Sequence, residues 1–407
     1  MSDRDESTFH RRGFLQAGAA VGASALALGT PGAHAAEDFV LPKRKLGKTG
    51  VEVTILNQGT WKAPDSLQRL LRTGYAGGIR YYDTAKSYGS EPGLAQWFKA
   101  MPEVRKEIFL VTKDHDYHTP KDLIPLLDER LESLQTDHVD LYFAHAMGDH
   151  LSLAESIEFV SGREFKETAE KIKKSGKAKF IGFSTHHRNR DQILKAAAKA
   201  GIADAIMVQN TAWLSKDTEL NRALDAVHKA GIGLISMKQI GGVTPEKFLG
   251  EVPKKAPELI AKGLTPFGAL LHAIWSDERF STCCVSMRNT DQLRDNIEAA
   301  RKFKEPLKTA EIESLRQAFL ASHPTLCADC DGRCSLAAGT KAPLGDISRY
   351  LTYYERHGAR SEARRHFAAL PAEARDWAGA DLEAAREACP SKLDFAALLD
   401  RAESHLA

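Results

Sequence analysis

Between residues 50 and 300 the chain repeats one unit eight times: a short apolar run rich in β-branched and aromatic residues, then a longer charged stretch. The runs are VTILNQGTW, IRYYDTA, IFLVTK, VDLYFAHA, KFIGFS, AIMVQN, IGLISM and TCCVSM. Each is too short for a helix. Most precede a segment such as PKDLIPLLDERLESL or DTELNRALDAVHKAG, whose apolar residues recur at helical spacing. Eight alternations predict an α/β fold closed into a (β/α)8 TIM barrel. A doubly wound sheet would want a Gly-rich dinucleotide loop, and no G-x-G-x-x-G follows any run. The stretch LGKTG resembles the end of a phosphate loop, but Pro42 stands where its first glycine would be. It reads instead as a hairpin turn at the bottom of the barrel.

Two connections are longer than a barrel needs: MGDHLSLAESIEFVSGREF after the fourth run and GGVTPEKFLGEVPKKAPELIAKG after the seventh. Such loops shape the mouth of a barrel. Beyond about residue 308 the chain is helical, charged and punctuated by cysteines, with two amphipathic helices expected around Gly358. We therefore expect a barrel over 36–322 and a small, mainly helical Cys-bearing extension over 323–407. At 43% hydrophobic, 27% charged and net charge +2, the composition is that of a globular protein. It makes no case for nucleic acid or an anionic membrane surface as a partner.

The N-terminus carries a different signal. HRRGFLQAG opens a weakly apolar stretch diluted by glycine, ending in the small-x-small site Ala33-His34-Ala35. This is the layout of an export signal over 1–35, and the adjacent Arg11 and Arg12 select the twin-arginine (Tat) route. The apolar part is shorter than the ~20 residues of a spanning helix, so no stable membrane span is expected. Tat cargo crosses folded, which suits a periplasmic protein that receives its cofactor before export.

Side chains at the C-terminal ends of barrel strands face the pocket. There the sequence sets Asp83 and Tyr88 in YYDTAKSYGS, Lys113 in FLVTKDH and His145 in LYFAHAM. An acid, a phenol, an ammonium and an imidazole at successive strand ends form a proton-transfer set. A lysine beside the tyrosine favours its phenolate, and a carboxylate keeps that lysine charged. Tyr88 could then act as a general acid. Six histidines crowd the same rim: His115, His118, His145, His150, His186 and His187. They read as residues that tune a substrate pocket, with a metal at DHDYH as the lesser reading.

With these motifs on view, together with LGKTGVEVT, GTW, VTK, GFST and VQN, the chain resembles the aldo/keto reductases over roughly residues 41–320. The resemblance implies Tyr88 as proton donor, Lys113 and Asp83 as the pair that tunes it, and His145 as the group orienting the carbonyl. It also implies hydride from a nicotinamide cofactor, NADP(H) in most members, acting on a small carbonyl substrate. Cofactor contacts would fall on Thr60, Trp61, Ser184, Thr185, Gln209, Met237, Lys238, Ser286, Arg288, Gln292 and Asn296. Three of these depart from the family pattern: Thr185 replaces an asparagine, Met237 a tyrosine stacked on the nicotinamide, and Ser286 a glycine. Arg288 is the candidate for a 2′-phosphate, since a guanidinium pairs well with phosphate; Gln292 and Asn296 would meet the adenine.

The extension adds CADCDGRC and EACPSKLD, three clustered cysteines and a remote Cys-Pro. Cys327, Cys330, Cys334 and Cys389 in this arrangement suggest a ferredoxin-type iron–sulfur cluster, expected as 4Fe-4S. The C-x2-C-x3-C spacing departs from the commoner C-x2-C-x2-C. A zinc site, a pair of disulfides and unpaired thiols are the competing readings. Cys283 and Cys284 read as buried strand residues. The expected function is an exported NAD(P)-dependent carbonyl reductase. The rival is an exported iron–sulfur electron-transfer or binding protein on a barrel that no longer turns over, served by a redox partner.

Overall fold

A computed structural model describes residues 41–407, apart from 64–66, 188, 215, 241–244, 323–326, 328–331, 357 and 390–391. The export signal, with Arg11 and Arg12, and Cys330 lie outside the described residues. No described helix is long and apolar enough to cross a membrane.

The chain opens with a two-stranded antiparallel hairpin, β1 (Lys43–Lys45) and β2 (Glu52–Thr54), whose turn is LGKTG. Eight parallel strands follow: β3 (Leu56–Gly59), β4 (Tyr81–Asp83), β5 (Phe109–Asp114), β6 (Val139–Ala144), β7 (Ala178–Thr185), β8 (Ala205–Gln209), β9 (Gly233–Met237) and β10 (Phe280–Ser286). They close in sequence order, with β10 pairing back onto β3, into the expected (β/α)8 barrel. One detail differs from the sequence reading. The first run, VTILNQGTW, is split: Val53 and Thr54 belong to the hairpin, and the barrel strand begins at Leu56. The break at Ile55 is held from outside the run, since Ile55 N donates to Pro42 O at 2.9 Å and Ile55 O accepts the Trp275 indole N–H at 2.8 Å. The hairpin plugs the bottom: Lys48 N donates to Gly231 O at 2.7 Å, just before β9, and Leu46 enters the barrel interior.

Strand alternation sorts the barrel into two cores. Tyr81, Phe109, Val111, Leu141, Phe143, Met207 and Ile235 fill the interior. Tyr82, Leu110, Tyr142, Ile181, Phe183 and Cys283 point outward into the shell of helices. Followed upward, the same alternation decides the mouth. Phe109 and Val111 face inward, so Lys113 does too; Tyr81 takes Asp83 with it, and Phe143 takes His145. Gly182 of β7 is where two strands press together. A Cβ there would lie 1.8 Å from Ala205 O on β8, closer than any side chain tolerates.

Both long connections carry helices, Leu153–Ser161 and Arg163–Ser175 after β6, and Pro245–Lys255 and Pro257–Ala261 after β9. The extension is helical, with the pair around Gly358 at Leu344–Arg356 and Arg360–Ala368 and Gly358 itself in the left-handed region at φ 68°. Its apolar residues, from Cys334 to Leu406, form a core of their own.

Candidate active site

Asp83, Tyr88, Lys113 and His145 converge at the C-terminal mouth. Lys113 has no solvent-exposed surface and Asp83 1%. The Lys113 ammonium donates to Asp83 Oδ1 and, at 2.8 Å, to Thr84 O. Burying a charge without a partner is costly, so each ion makes the other tolerable. Lys113 stays charged: burial, the largest single influence, lowers its pKa, but the charge and hydrogen bond of Asp83, together with Tyr88 and Cys284, more than offset it and the pKa rises to about 12. Tyr88 ends a short 3-10 turn, Lys86–Tyr88, that follows β4. Its ring stands 5.1 Å from the Lys113 ammonium and edge-on to His145 at 5.6 Å.

The tyrosine corrects one expectation. Lys113 does pull its pKa down, by charge and by a hydrogen bond, but burial is the larger effect and carries it up to about 12. Tyr88 is therefore a fully protonated phenol at neutral pH, a donor rather than a nascent phenolate. His145 is driven the other way, to about 2, first by burial and then by Lys113 and the neighbouring His115. Its imidazole is neutral. Nδ1 is buried without a partner, and Nε2 makes no hydrogen bond among the described residues, leaving that edge open to a ligand.

The residues expected to hold a cofactor divide into two sets. Trp61, Gln209, Met237, Lys238, Ser286, Arg288 and Gln292 reach solvent at the mouth. The Arg288 guanidinium lies 6.0 Å from the Trp61 ring, and Gln292 Oε1 accepts from Arg288 N at 2.9 Å. Lys238 has a left-handed backbone (φ 51°), an unusual state for a side chain other than glycine. The surrounding protein lowers its ammonium pKa, opposed by Asp149 and by Glu362 of the extension.

The second set is spent internally. Thr60 is buried, with its hydroxyl on Asp83 O and Ser90. Ser184 Oγ accepts from Ala146 N at 3.0 Å. Thr185 is fully buried and donates to Met147 O at 2.8 Å. Alternation explains it: Ser184 faces the barrel, so Thr185 faces the shell and serves as a latch for the loop after β6. Asn296 is also buried, on the helix Thr290–Lys302.

Two neighbours of the quartet were not assigned to the site from the sequence. Cys284 faces inward and its thiol stands beside Asp83, its pKa pushed well up by burial, whereas Cys283 faces the shell. Gln239 donates from Nε2 to Ser236 O (3.0 Å), Cys283 Sγ (3.0 Å) and Cys284 O (3.1 Å), locking the loop after β9 onto β10. Gln239 lies just beyond the Met237-Lys238 stretch and carries no motif of its own. The one group of potential metal ligands within 4.8 Å of one another, among the described residues, is Asp114, His115 and Asp116. Lys86 and Arg130 already neutralise its carboxylates, with Lys86 Nζ 2.8 Å from Asp116 and Arg130 Nε 3.3 Å from Asp114. The rim histidines are otherwise occupied in part: His150 Nε2 meets Tyr117 O at 2.7 Å, and His186 lies 3.5 Å from Asp149.

In the extension, Cys334 and Cys389 are buried in one core and neither is in a disulfide. Burial, and to a lesser degree Cys389, raise the Cys334 pKa, while the Ser335 N–H and hydroxyl oppose them. A Cβ on Gly345 would fall 2.8 Å from Cys327 Sγ, so that glycine makes room for the sulfur. The sulfurs of Cys327, Cys334 and Cys389 are not all within 4.8 Å of one another. A single zinc, with Zn–S of about 2.3 Å, would need them under roughly 4 Å apart. Arg333, next to Cys334, pairs with Asp217 of the loop after β8 at 2.5 Å, which sets this part of the extension against the mouth.

A family profile described as the aldo/keto reductase family matches residues 54–319. Among characterised proteins, the chain is 21% identical over 326 residues to L-glyceraldehyde 3-phosphate reductase of Escherichia coli K12, covering 67% of this chain and 91% of that one. It is 24% identical over 307 residues to mouse aldo-keto reductase family 1 member A1, covering 69% and 91%. Among solved structures, a Bacillus halodurans aldo-keto reductase in its holo form superposes with TM-score 0.53 at 20% identity, over 68% of this chain and 96% of that one. An aldo-keto reductase crystallised with NADPH gives TM-score 0.52 at 20% identity, over 68% and 88%. The family profile stops at residue 319, before the cysteine-bearing extension.

Proposed function

The chain belongs to the aldo/keto reductase family and is an oxidoreductase acting on carbonyl groups, and we propose that it reduces a small aldehyde or ketone with NADP(H), Tyr88 serving as proton donor. The observation that carries this reading is the convergence of Tyr88, the Asp83–Lys113 pair and the open edge of His145 at the barrel mouth. The nicotinamide, when bound, supplies the hydride to the carbonyl carbon. The chain's own residues do the rest. His145, neutral, offers Nε2 to the carbonyl oxygen and fixes its direction. The Tyr88 hydroxyl gives its proton to that oxygen as negative charge develops there, since an alkoxide is a stronger base than a phenolate. Lys113 then faces the phenolate, and Asp83 keeps Lys113 charged and aimed.

Trp61, Gln209, Met237, Lys238, Ser286, Arg288 and Gln292 would hold the nucleotide, with Arg288 on the 2′-phosphate. Quenching of protein fluorescence by NADPH tests this. Saturable binding that weakens on Arg288→Ala supports it, and no binding at saturating NADPH overturns it.

We also propose that the extension holds an iron–sulfur cluster on Cys327, Cys330, Cys334 and Cys389 and that the protein is exported by the Tat route. The spread of the described sulfurs and the Ser335 donors beside Cys334 favour a cluster over a single zinc. A broad visible absorption in anaerobically purified protein that bleaches with dithionite is the expected result. A featureless spectrum after iron-replete expression would remove the cluster and leave the reductase reading standing.

A further inference from the structure

Behind the wall of the pocket, outside the barrel, lies a buried ionic network that the proton-transfer scheme does not use. Its centre is Asp114, the last residue of β5 and fully buried. Because Lys113 faces inward, Asp114 faces the helices. There Arg130, on the helix Leu123–Leu134, places Nε 3.3 Å from Asp114 Oδ2 and Nη1 3.1 Å from Glu91 Oε2. Glu91 is 3% exposed and its other oxygen accepts from Thr112 Oγ1 at 2.6 Å. Three buried charges in contact are expensive to assemble, and swapping such groups for apolar ones is often neutral or stabilising. Their presence therefore calls for a reason other than stability.

The connections of Asp114 supply one. Its neighbour in the chain is Lys113. Its backbone oxygen accepts the N–H of His145 at 2.8 Å. Its Oδ1 accepts the N–H of Asp116 at 3.0 Å, and Asp116 binds the Lys86 ammonium at 2.8 Å. Lys86 also lies 3.9 Å from Asp114 itself and 3.6 Å from Glu129. Lys86 opens the same 3-10 turn that Tyr88 closes. The foot of that turn is already fixed by a chain of hydroxyls, Thr84 to Ser90 at 2.8 Å and Ser90 to Thr60 at 2.7 Å. Its tip is fixed by Lys86 alone among these contacts. Asp114 thus joins the elements that carry Lys113, His145 and Tyr88, the first two through its backbone and the last through its carboxylate and Lys86.

We infer that Asp114 is a positioning residue that holds Tyr88, Lys113 and His145 in mutual register, reaching Tyr88 through Lys86. Each Lys86 contact is partly exposed and contributes little to stability alone. What the set supplies is direction. The turn can swing only by dragging the ammonium out of a pocket of three carboxylates, two of which, Asp114 and Glu129, are anchored by Arg130. A displacement of about 1 Å at a proton donor can lower turnover by roughly 100-fold.

The inference rests on Tyr88 being the proton donor, so its test has two readouts. In the unliganded protein, hydrogen-exchange mass spectrometry of the segment 84–90 is compared between wild type, Lys86→Met and Asp114→Asn. Faster exchange confined to this segment and to 143–146 in Asp114→Asn, and to 84–90 in Lys86→Met, is expected with little change in melting temperature for Lys86→Met. This readout stands even where no carbonyl is turned over. With NADPH and 4-nitrobenzaldehyde as probe, Lys86→Met should lose roughly tenfold in kcat, with an enlarged solvent deuterium isotope effect and unchanged NADPH affinity. Lys86→Arg should restore both. Wild-type exchange and a wild-type isotope effect in Lys86→Met overturn the tether, and an active Asp114→Asn with unaltered kcat overturns the central role of Asp114. A wild type that reduces no carbonyl at all overturns the proposed function instead.

Discussion

The rings of Tyr88 and His145 meet edge to face, 5.6 Å between centroids and 85° between planes. A neutral imidazole therefore braces the phenol proposed as the proton donor. Protonating His145 would put a second positive charge beside Lys113, which is one reason its pKa falls to about 2.

That depression makes stability pH-dependent in a definite direction. A histidine held neutral in the fold takes up a proton on unfolding below its ordinary value of 6.5. The unfolded chain then binds more protons than the folded one, and stability falls as pH falls. His186, lowered to about 3 by burial and then Lys238, acts the same way. The contribution is fully present above pH 6.5 and is lost progressively toward pH 3. Melting temperature followed over that range should fall less steeply in His145→Gln than in wild type; identical slopes would count against a neutral His145.

Asp83 and Lys113 are buried together, so removing one leaves the other stranded. Asp83→Asn should cost about 3–5 kcal/mol in urea unfolding, the usual penalty for an uncompensated buried charge. The double variant Asp83→Asn/Lys113→Met should recover much of that stability and none of the activity. A single variant as stable as wild type would mean that Lys113 loses its charge without its partner.

Gly182 permits the close approach of β7 and β8, and a methyl there would collide with Ala205 O. Gly182→Ala should destabilise by at least the ~1–3 kcal/mol of an overpacked core. It should also weaken NADPH binding, because Ser184 and Gln209 stand at the tops of the same two strands. A variant that melts with wild type would show that the strands part at no cost.

Much of this was legible in the sequence, for identifiable reasons. The eight runs gave the barrel because strand and helix periods differ sharply. Asp83, Lys113 and His145 could be found because each ends a run, where alternation leaves no doubt that one of two adjacent residues faces in. The same rule hid Thr185: a shift of one residue turns it from pocket to shell, and a motif match does not see that shift. Cys283 and Cys284 were read as buried strand residues, and both lie on β10, but which of the two faces the pocket could not be told, since they look identical in sequence. Asp114, Arg130 and Glu91 were out of reach for another cause. They come from a strand end and two helices far apart in the chain, and only folding brings their charges together. The direction of the Tyr88 shift also needed the structure, because burial and Lys113 oppose each other there and composition cannot weigh them.

The role of Tyr88 is tested most directly by NADPH oxidation in wild type and Tyr88→Phe, with nucleotide affinity measured on both. The phenylalanine keeps the ring against His145 and removes only the proton. Unchanged NADPH affinity with turnover reduced roughly 10²–10⁴-fold is the predicted result. A Tyr88→Phe protein that turns over like wild type would contradict it, and would move proton donation to another group at the mouth.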